Sequence, residues 1–202
     1  MVVSGPSGVG KGTVIARMLA KQPGVSRSVS CTTRGPRPGE VDGRDYHFVE
    51  ADVFRRMRDA GELLEWALVH QDLLYGTPRQ PVEDALAAGQ DIILEIDYQG
   101  ARSVRQILGD RAVLVFIAPP SWSALVERLR GRSTEDEDAT RKRLASAIHE
   151  LAHVEAFEYL IVNNDLDRAV DDLQSVLLAE RQRLERLDWR PFVEQLLREA
   201  GQ

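Results

Sequence analysis

The chain has 202 residues, of which 43% are hydrophobic and 29% charged, so it holds enough apolar material for a folded core and is not typical of a disordered chain. Its net charge of −6 argues against a binder of nucleic-acid polymers, because such proteins usually present a broad basic surface. The longest apolar run, residues 113–118, is far shorter than the roughly 18 residues of a membrane helix, and the single Cys31 leaves no partner for an internal disulfide.

The apolar pattern predicts strands and helices that alternate along the chain. Residues 1–4 look like the end of a buried strand and lack the basic start of a secretory signal, so we expect a cytoplasmic protein that does not enter a membrane. Aliphatic runs without a polar face are typical of strands covered on both sides, as in a parallel sheet. The predicted strands of this kind cover residues 1–4, 92–96, 113–117 and 160–162. The predicted helices between and after them cover residues 11–21, 100–108, 123–129 and 168–187.

Two stretches interrupt this plan. Residues 32–88 contain shorter strand-like pieces at 46–49 and 63–69 and a turn-rich segment, which indicates a smaller mixed lobe inserted into the sheet domain. Residues 128–153 are highly charged and fit either a solvated helix hairpin or a mobile lid. The expected core domain then consists of residues 1–31, 89–127 and 154–202.

A glycine-rich loop follows the first strand and opens the first helix, the setting in which a G-x-x-x-x-G-K pattern predicts binding of a nucleoside triphosphate. Its backbone N–H groups and the helix N-terminus would bind phosphate oxygens, and Lys11, one of only three lysines, would place a point charge on the β- and γ-phosphates. Gly12 occupies the position where Ser or Thr normally helps to hold Mg²⁺, and either Thr13 or a water would take that role. The predicted ATP-binding residues here are Gly5, Pro6, Ser7, Gly8, Val9, Gly10, Lys11, Gly12 and Thr13.

The rest of the chain resembles the guanylate kinases. Motifs of that family follow one another in order over nearly the whole chain, and the resemblance is weakest beyond about residue 185. They lie at residues 28–40, 42–48, 65–67, 75–77, 96–100, 118–120, 131–135, 142–144 and 162–165. The resemblance implies an α/β fold with a P-loop parallel β-sheet core flanked by helices, an inserted mixed α/β GMP-binding lobe over residues 32–88 and a helical lid over residues 128–153.

Four residues of the inserted lobe are candidates for binding the acceptor phosphate. Arg34 and Arg37 lie three apart around a proline, so two guanidinium groups can converge on one phosphate. Tyr46 and Tyr75 can add hydroxyl donors. The resemblance implies that these four side chains bind the phosphate of GMP.

Glu65 is a carboxylate within an apolar strand, and it is the candidate for reading the base. Its two acceptor oxygens match the adjacent N1–H and N2–H donors of guanine, whereas adenine has an acceptor at N1. The resemblance adds Ser30 and Thr77 as residues that help to hold the base. We therefore expect GMP as the acceptor rather than AMP, and dGMP is a plausible alternative acceptor.

Glu95 and Asp97 lie on the same side at the end of a predicted strand, where ligands bind in open α/β sheets. Asp97 is predicted either to orient Mg²⁺ through water or to contact the acceptor nucleotide, and Glu95 is assigned to the GMP site. The resemblance implies that Arg128, Arg132 and Arg143 are lid arginines that close over the phosphates. It also assigns Asn163 to the ATP site.

The implied reaction is the Mg²⁺-dependent transfer of the γ-phosphoryl group of ATP to GMP in purine nucleotide metabolism, with no protein partner. The attacking phosphate oxygen is already deprotonated, so catalysis would rest on alignment and on charge from Lys11, Arg132 and Arg143. One alternative is a kinase for another phosphorylated acceptor such as a ribose phosphate, which Glu65 argues against. The other is a module that binds a protein and has lost catalysis, which would not need these three cations together.

Overall fold

The computed structural model describes residues 1–69, 73–131 and 137–201. Its strands are β1 Val2–Ser4, β2 Val25–Arg27, β3 Cys31–Thr32, β4 His47–Phe48, β5 Leu63–Val69, β6 Leu73–Pro78, β7 Asp91–Glu95, β8 Leu114–Ala118 and β9 Tyr159–Val162. Its α-helices are α1 Lys11–Lys21, α2 Ala51–Asp59, α3 Arg79–Ala87, α4 Tyr98–Leu108, α5 Trp122–Gly131, α6 Glu137–Leu151, α7 Leu166–Arg181 and α8 Arg190–Glu199.

A five-stranded parallel sheet in the order β2-β7-β1-β8-β9 forms the centre of the molecule. On one face, Val3 packs in a buried cluster with side chains of α1 and α7 such as Ile15 and Leu173. On the other face, Val2 packs with side chains of α3 and α4 such as Val104. Both faces are therefore covered, which is why the strands lack a polar side. The predicted α/β fold with a parallel sheet is confirmed.

A second sheet of four strands has the order β4-β3-β6-β5 and mixes parallel and antiparallel pairs. Helix α2 covers it through Phe54, which packs against Cys31 and Leu63. Two residues lie on the other side of the expected boundary between the core domain and the inserted lobe. Cys31, expected in the core domain, pairs within the second sheet. Val82 of α3, expected in the lobe, packs in the core cluster of the parallel sheet.

Helices α5 and α6 pack against each other through Leu125, Leu129 and Ala147. Only the end of α5 lies within the charged stretch at 128–153, whereas α6 lies wholly inside it. Residues 132–136, between the two helices, lie outside the described ranges.

The end of the predicted helix 168–187 is wrong. Helix α7 ends at Arg181, and Leu184, expected on its apolar stripe, lies in a 3₁₀ turn with 61% of its surface exposed. The chain turns back so that Arg186 can pair with the buried Glu180 carboxylate at 3.0 Å, with Arg183 at 3.6 Å from the same oxygen. Two ion pairs to a buried charge therefore replace continued helical packing.

The apolar pattern also missed three helices, α2, α3 and α8, and did not give the bounds of α6 within the charged stretch. Each carries a large share of charged or small residues, which weakens the apolar period. None of the helices in the described ranges has the length and hydropathy needed to cross a membrane.

Candidate active site

The glycine-rich loop connects β1 to α1 and depends on close backbone approaches. Gly5, Gly8 and Gly10 have φ values of 138°, 85° and 97°, in the region that favours glycine. A Cβ on Gly5 would lie 2.1 Å from the carbonyl oxygen of Ile117 in β8, so the loop can pass over the sheet only with glycine there. Lys11 Nζ donates to the carbonyl oxygens of Gly5 and Pro6, which folds its cation over the loop.

The backbone of the loop is also fixed by hydrogen bonds to the carbonyl oxygen of Val9. The Asn163 amide donates to this oxygen at 2.7 Å and Arg128 donates to it at 3.3 Å, while Arg128 also donates to the Asn163 carbonyl at 2.9 Å. Arg128 was predicted as a lid arginine and Asn163 as an ATP-binding residue. In this structure both side chains brace the backbone of the loop.

A cavity of about 550 Å³ extends from the glycine-rich loop to the second sheet. The predicted residues that line it are Gly5, Ser7, Gly8, Gly10, Lys11, Gly12, Thr13, Ser30, Arg34, Arg37, Tyr46, Glu65, Tyr75, Glu95, Asp97 and Arg143. The predicted residues outside the lining are Pro6, Val9, Thr77, Arg128 and Asn163. Arg132 lies outside the described residues. The fold thus brings the predicted donor and acceptor groups to one space.

The Arg34 guanidinium is the centre of a polar cluster at the second sheet. Its Nη atoms donate to both carboxylate oxygens of Glu40 at 2.9 Å, and its Nε donates to the Tyr75 hydroxyl at 3.2 Å. It also lies 5.4 Å from the ring centroid of Tyr46. The backbone N–H of Arg37 donates to Glu40 at 2.8 Å, so one carboxylate organises both arginine positions.

Glu40 was missed by the sequence reasoning, which treated its segment only as a motif. Its carboxylate accepts bidentate hydrogen bonds of the kind that a phosphate would accept from Arg34. The pKa of Glu40 is lowered, chiefly by the hydrogen bonds from Arg34, so the group is charged at neutral pH.

Glu65 lies inward on β5, while its neighbour Trp66 lies outward. Thr77 on the paired strand donates to Glu65 Oε1 at 2.6 Å, and both side chains are buried. A Cβ on Gly100, in the first turn of α4, would lie only 2.5 Å from Glu65 Oε2. Burial raises the pKa of Glu65 to about 7, and the Thr77 hydrogen bond opposes the rise. The carboxylate faces the cavity with few internal partners, which suits a ligand with N–H donors.

Two further carboxylates lie at the carboxyl end of β7. Asp97 caps α4, since its Oδ1 accepts from the backbone N–H of Gly100 at 2.8 Å. Glu95 lies against the start of α1, where both its oxygens would be 3.5 Å from a Cβ on Gly12. Glu95 also lies 3.2 Å from Arg27, a cavity residue that the sequence reasoning missed because it did not predict β2.

Helix α6 contributes Glu150 to the cavity as well as Arg143. The two residues are seven apart, a spacing that puts both on one face of a helix and that could have identified Glu150. Burial raises the pKa of Glu150 to about 7, with Lys11 opposing the rise and Asp97 adding to it. Near Glu150, the His153 ring stacks on Tyr98 with 4.2 Å between ring centroids, and the His149 ring is tilted against Tyr98 at 5.4 Å.

The comparisons with known proteins agree with this geometry. The family model for guanylate kinase matches residues 1–180. A guanylate kinase of Aromatoleum aromaticum is 50% identical over 183 residues, covering 91% of this chain and 89% of that protein, and one of Symbiobacterium thermophilum is 50% identical over 183 residues, covering 91% and 86%. The crystal structure of guanylate kinase from Anaplasma phagocytophilum is 35% identical with a TM-score of 0.79, covering 96% of this chain and 92% of that one. The resemblance seen in the motifs is confirmed, and the chain belongs to the guanylate kinase family.

Proposed function

We propose that this chain transfers the γ-phosphoryl group of ATP to GMP in the cavity between the glycine-rich loop and the second sheet. The observation that supports this most strongly is that Lys11, Arg34 and Glu65 line one cavity. A phosphate-binding cation, an acceptor-phosphate cation and a base-reading carboxylate are the groups that a GMP kinase needs together.

At the donor end, the loop and Lys11 bind the phosphates of ATP. The first N–H groups of α1 have no acceptor within the helix, and the helix dipole favours negative charge at the same point. Arg128 and Asn163 act there indirectly, because they fix the Val9 carbonyl and with it the direction of the loop N–H groups. Pro6 and Val9 likewise contribute to ATP binding through the backbone.

At the acceptor end, Arg34, Arg37, Tyr46 and Tyr75 bind the GMP phosphate, and Arg34 exchanges part of its contact with Glu40 for phosphate oxygens. Glu65 accepts hydrogen bonds from guanine N1–H and N2–H, while Thr77 fixes its carboxylate and Ser30 lies beside the base. dGMP differs only at the sugar, so we include it as an acceptor.

The reaction needs alignment and positive charge rather than a general base, because the attacking oxygen belongs to a phosphate that is already ionised near neutral pH. Lys11 and Arg143 both line the cavity and would neutralise charge on the transferred group. We also keep Arg132 in this role, from its position in the sequence. Closure of α6 would exclude water, which competes for the phosphoryl group.

Mg²⁺ bound to ATP would neutralise the β- and γ-phosphates and so assist the transfer. The oxygens that fit it, through water, are those of Asp97 and the Thr13 hydroxyl, because hard cations prefer oxygen ligands and both residues line the cavity. Within the described residues, no group of three or more His, Cys, Asp or Glu side chains is arranged to hold a metal.

We place the reaction in the cytoplasm, within purine nucleotide metabolism and the recycling of GMP. The partners we propose are the small molecules ATP and GMP, without a nucleic-acid polymer, a membrane or a protein partner.

The test is a coupled ADP-release assay of the chain with ATP, Mg²⁺ and one acceptor at a time. We expect GMP to be the best acceptor and dGMP to react. AMP, CMP, UMP and ribose 5-phosphate should react at least about tenfold more slowly, since an unpaired buried carboxylate costs about 1–3 kcal/mol or more. The Lys11→Met variant is the control for contaminating kinases and should lose the activity. A preference for another acceptor would contradict the proposal.

A further inference from the structure

Arg27 is a cation of the active-site cavity that the reaction described above does not use. It ends β2, the edge strand of the parallel sheet, three residues before Ser30. Its Nη2 lies 3.2 Å from Glu95 Oε2, and the two side chains are only 29% and 19% exposed. Both residues line the cavity. The pair is therefore half-buried beside the substrates rather than solvated at the surface.

Glu95 is an unusual neighbour for phosphate groups. Its two oxygens lie against Gly12, next to Lys11, and its Oε2 is buried without a hydrogen bond. A carboxylate at this point would repel the phosphates of both nucleotides, because like charges within a few ångströms disfavour each other strongly at low dielectric. The repulsion is tolerable only if a cation compensates the carboxylate.

We propose that Arg27 is a positioning residue that holds and neutralises the Glu95 carboxylate, so that phosphates can bind beside the glycine-rich loop. The proposal rests on the guanylate kinase reaction, and it assigns Arg27 an effect that is exerted through Glu95. The Tyr46 phenol, assigned to the acceptor phosphate, lies within electrostatic reach of the pair: burial raises its pKa to about 12, Glu95 adds to the rise and Arg27 opposes it.

The test is a double-mutant cycle with Arg27→Met, Glu95→Gln and the double variant, in the GMP kinase assay. Arg27→Met should lower kcat/KM by at least about tenfold, because it leaves a half-buried charge without its partner. In the Glu95→Gln background the same substitution should cost less than about threefold, since no carboxylate is left to compensate. Arg27→Lys keeps the charge and should retain most of the activity. Arg17→Met, which removes an exposed ion pair between Arg17 on α1 and Asp167 on α7, is the matched control and should behave as wild type.

A second readout separates this role from a structural one. Calorimetry should show that ADP and GMP bind about tenfold more weakly to Arg27→Met than to the wild type. In the kinase assay, the inhibition constant of guanosine, which has no phosphate, should be unchanged. An equal loss for guanosine, an equal cost of Arg27→Met in both backgrounds, or no cost at all would overturn the proposal. If Arg27→Met does not fold, the double variant must fold, because it has no unpaired carboxylate, and its failure to fold also overturns the proposal. An inactive wild type would instead refute the kinase function itself.

Discussion

At the scale of single residues, Glu65 is the side chain to which we assign recognition of the acceptor base. A carboxylate that is 5% exposed on an apolar strand is costly unless it is hydrogen-bonded. Thr77 satisfies one oxygen, and the remaining acceptor capacity faces the cavity. The Glu65 carboxylate can therefore accept further hydrogen bonds from the cavity, and guanine could donate two.

Glu65→Gln tests this assignment, because the amide replaces one acceptor with a donor that opposes the guanine N–H groups. We expect kcat/KM for GMP to fall by at least ~10²-fold, since a charge-assisted hydrogen bond contributes about 1.5–3 kcal/mol and about 2.7 kcal/mol is a factor of 100. The KM for ATP should not change, and the preference for GMP over AMP should shrink. Steady-state kinetics with both acceptors measures this.

The matched control is Glu62→Gln, an exposed carboxylate just before the same strand, which should leave the kinetics unchanged. Full GMP activity with undiminished discrimination in Glu65→Gln would show that another group reads the base.

At the scale of elements, the site depends on how closely α4 approaches β5. Asp97 caps the helix, and Gly100 in its first turn lies directly against Glu65. The same helix therefore begins beside Glu65 and at the carboxyl end of β7. A side chain at position 100 would push these elements apart, so glycine is needed there for the close contact with Glu65.

Gly100→Ala should be destabilising although alanine is the better helix former, because its Cβ would lie 2.5 Å from Glu65 Oε2. Overpacking of this kind costs about 1–3 kcal/mol, and kcat/KM for GMP should fall more than that for ATP. Thermal unfolding and kinetics measure the two effects. Gly131→Ala, in α5 with nothing within 4 Å, is the control and should not lose stability. Adding Glu65→Asp to Gly100→Ala should restore stability but not GMP selectivity; no restoration would place the strain elsewhere.

Helix α6 brings Arg143 to the cavity. We expect Arg143→Ala to lower kcat by roughly 10²-fold, because removal of one group that stabilises transition-state charge has an effect of this size. GMP affinity should change much less, because this arginine acts mainly on the reacting state. Calorimetric titration of GMP beside steady-state kinetics separates the two effects. The exposed neighbour Lys142→Ala is the control, and equal losses of affinity and turnover would assign Arg143 to the acceptor site instead.

At the scale of the whole molecule, the substrate cavity costs stability. Glu65 and Glu150 are carboxylates whose pKa values burial raises to about 7. A raised pKa means that the folded state holds the proton more tightly than the unfolded state. This contribution to stability is complete below the ordinary pKa of 4.5 and is lost as the pH rises through about 7. The protein without nucleotides should therefore lose stability between these values as both groups ionise.

Glu65→Gln should accordingly raise the melting temperature at pH 8 while it lowers activity. The neutral amide avoids a penalty of roughly 1 to 3 kcal/mol, since one pKa unit corresponds to about 1.36 kcal/mol. The difference from wild type should narrow as the pH falls towards 5, where Glu65 is protonated in the fold. Circular dichroism melting curves at several pH values measure it. A gap that does not depend on pH, or that Glu62→Gln also shows, would contradict the ionisation argument.

The sequence by itself determined the features that depend only on neighbouring residues in the chain. The glycines before Lys11 predict the loop, and the helix predicted at 11–21 has the bounds of α1, because positive φ values and apolar period are properties of adjacent residues. Continuous aliphatic runs likewise predicted the parallel sheet, and the motif residues Arg34, Tyr46, Tyr75 and Glu65 do line one cavity.

Only the tertiary structure decided which side chains act on the backbone and which face the cavity. Arg128 and Asn163 meet the Val9 carbonyl across separations of 119 and 154 residues, and Glu95 meets Arg27 across the sheet. Such contacts depend on the order and register of strands far apart in the chain, which no local period encodes. For the same reason the end of α7 at Arg181 was not predicted, because the ion pairs of Glu180 with Arg183 and Arg186 form only once the chain has turned.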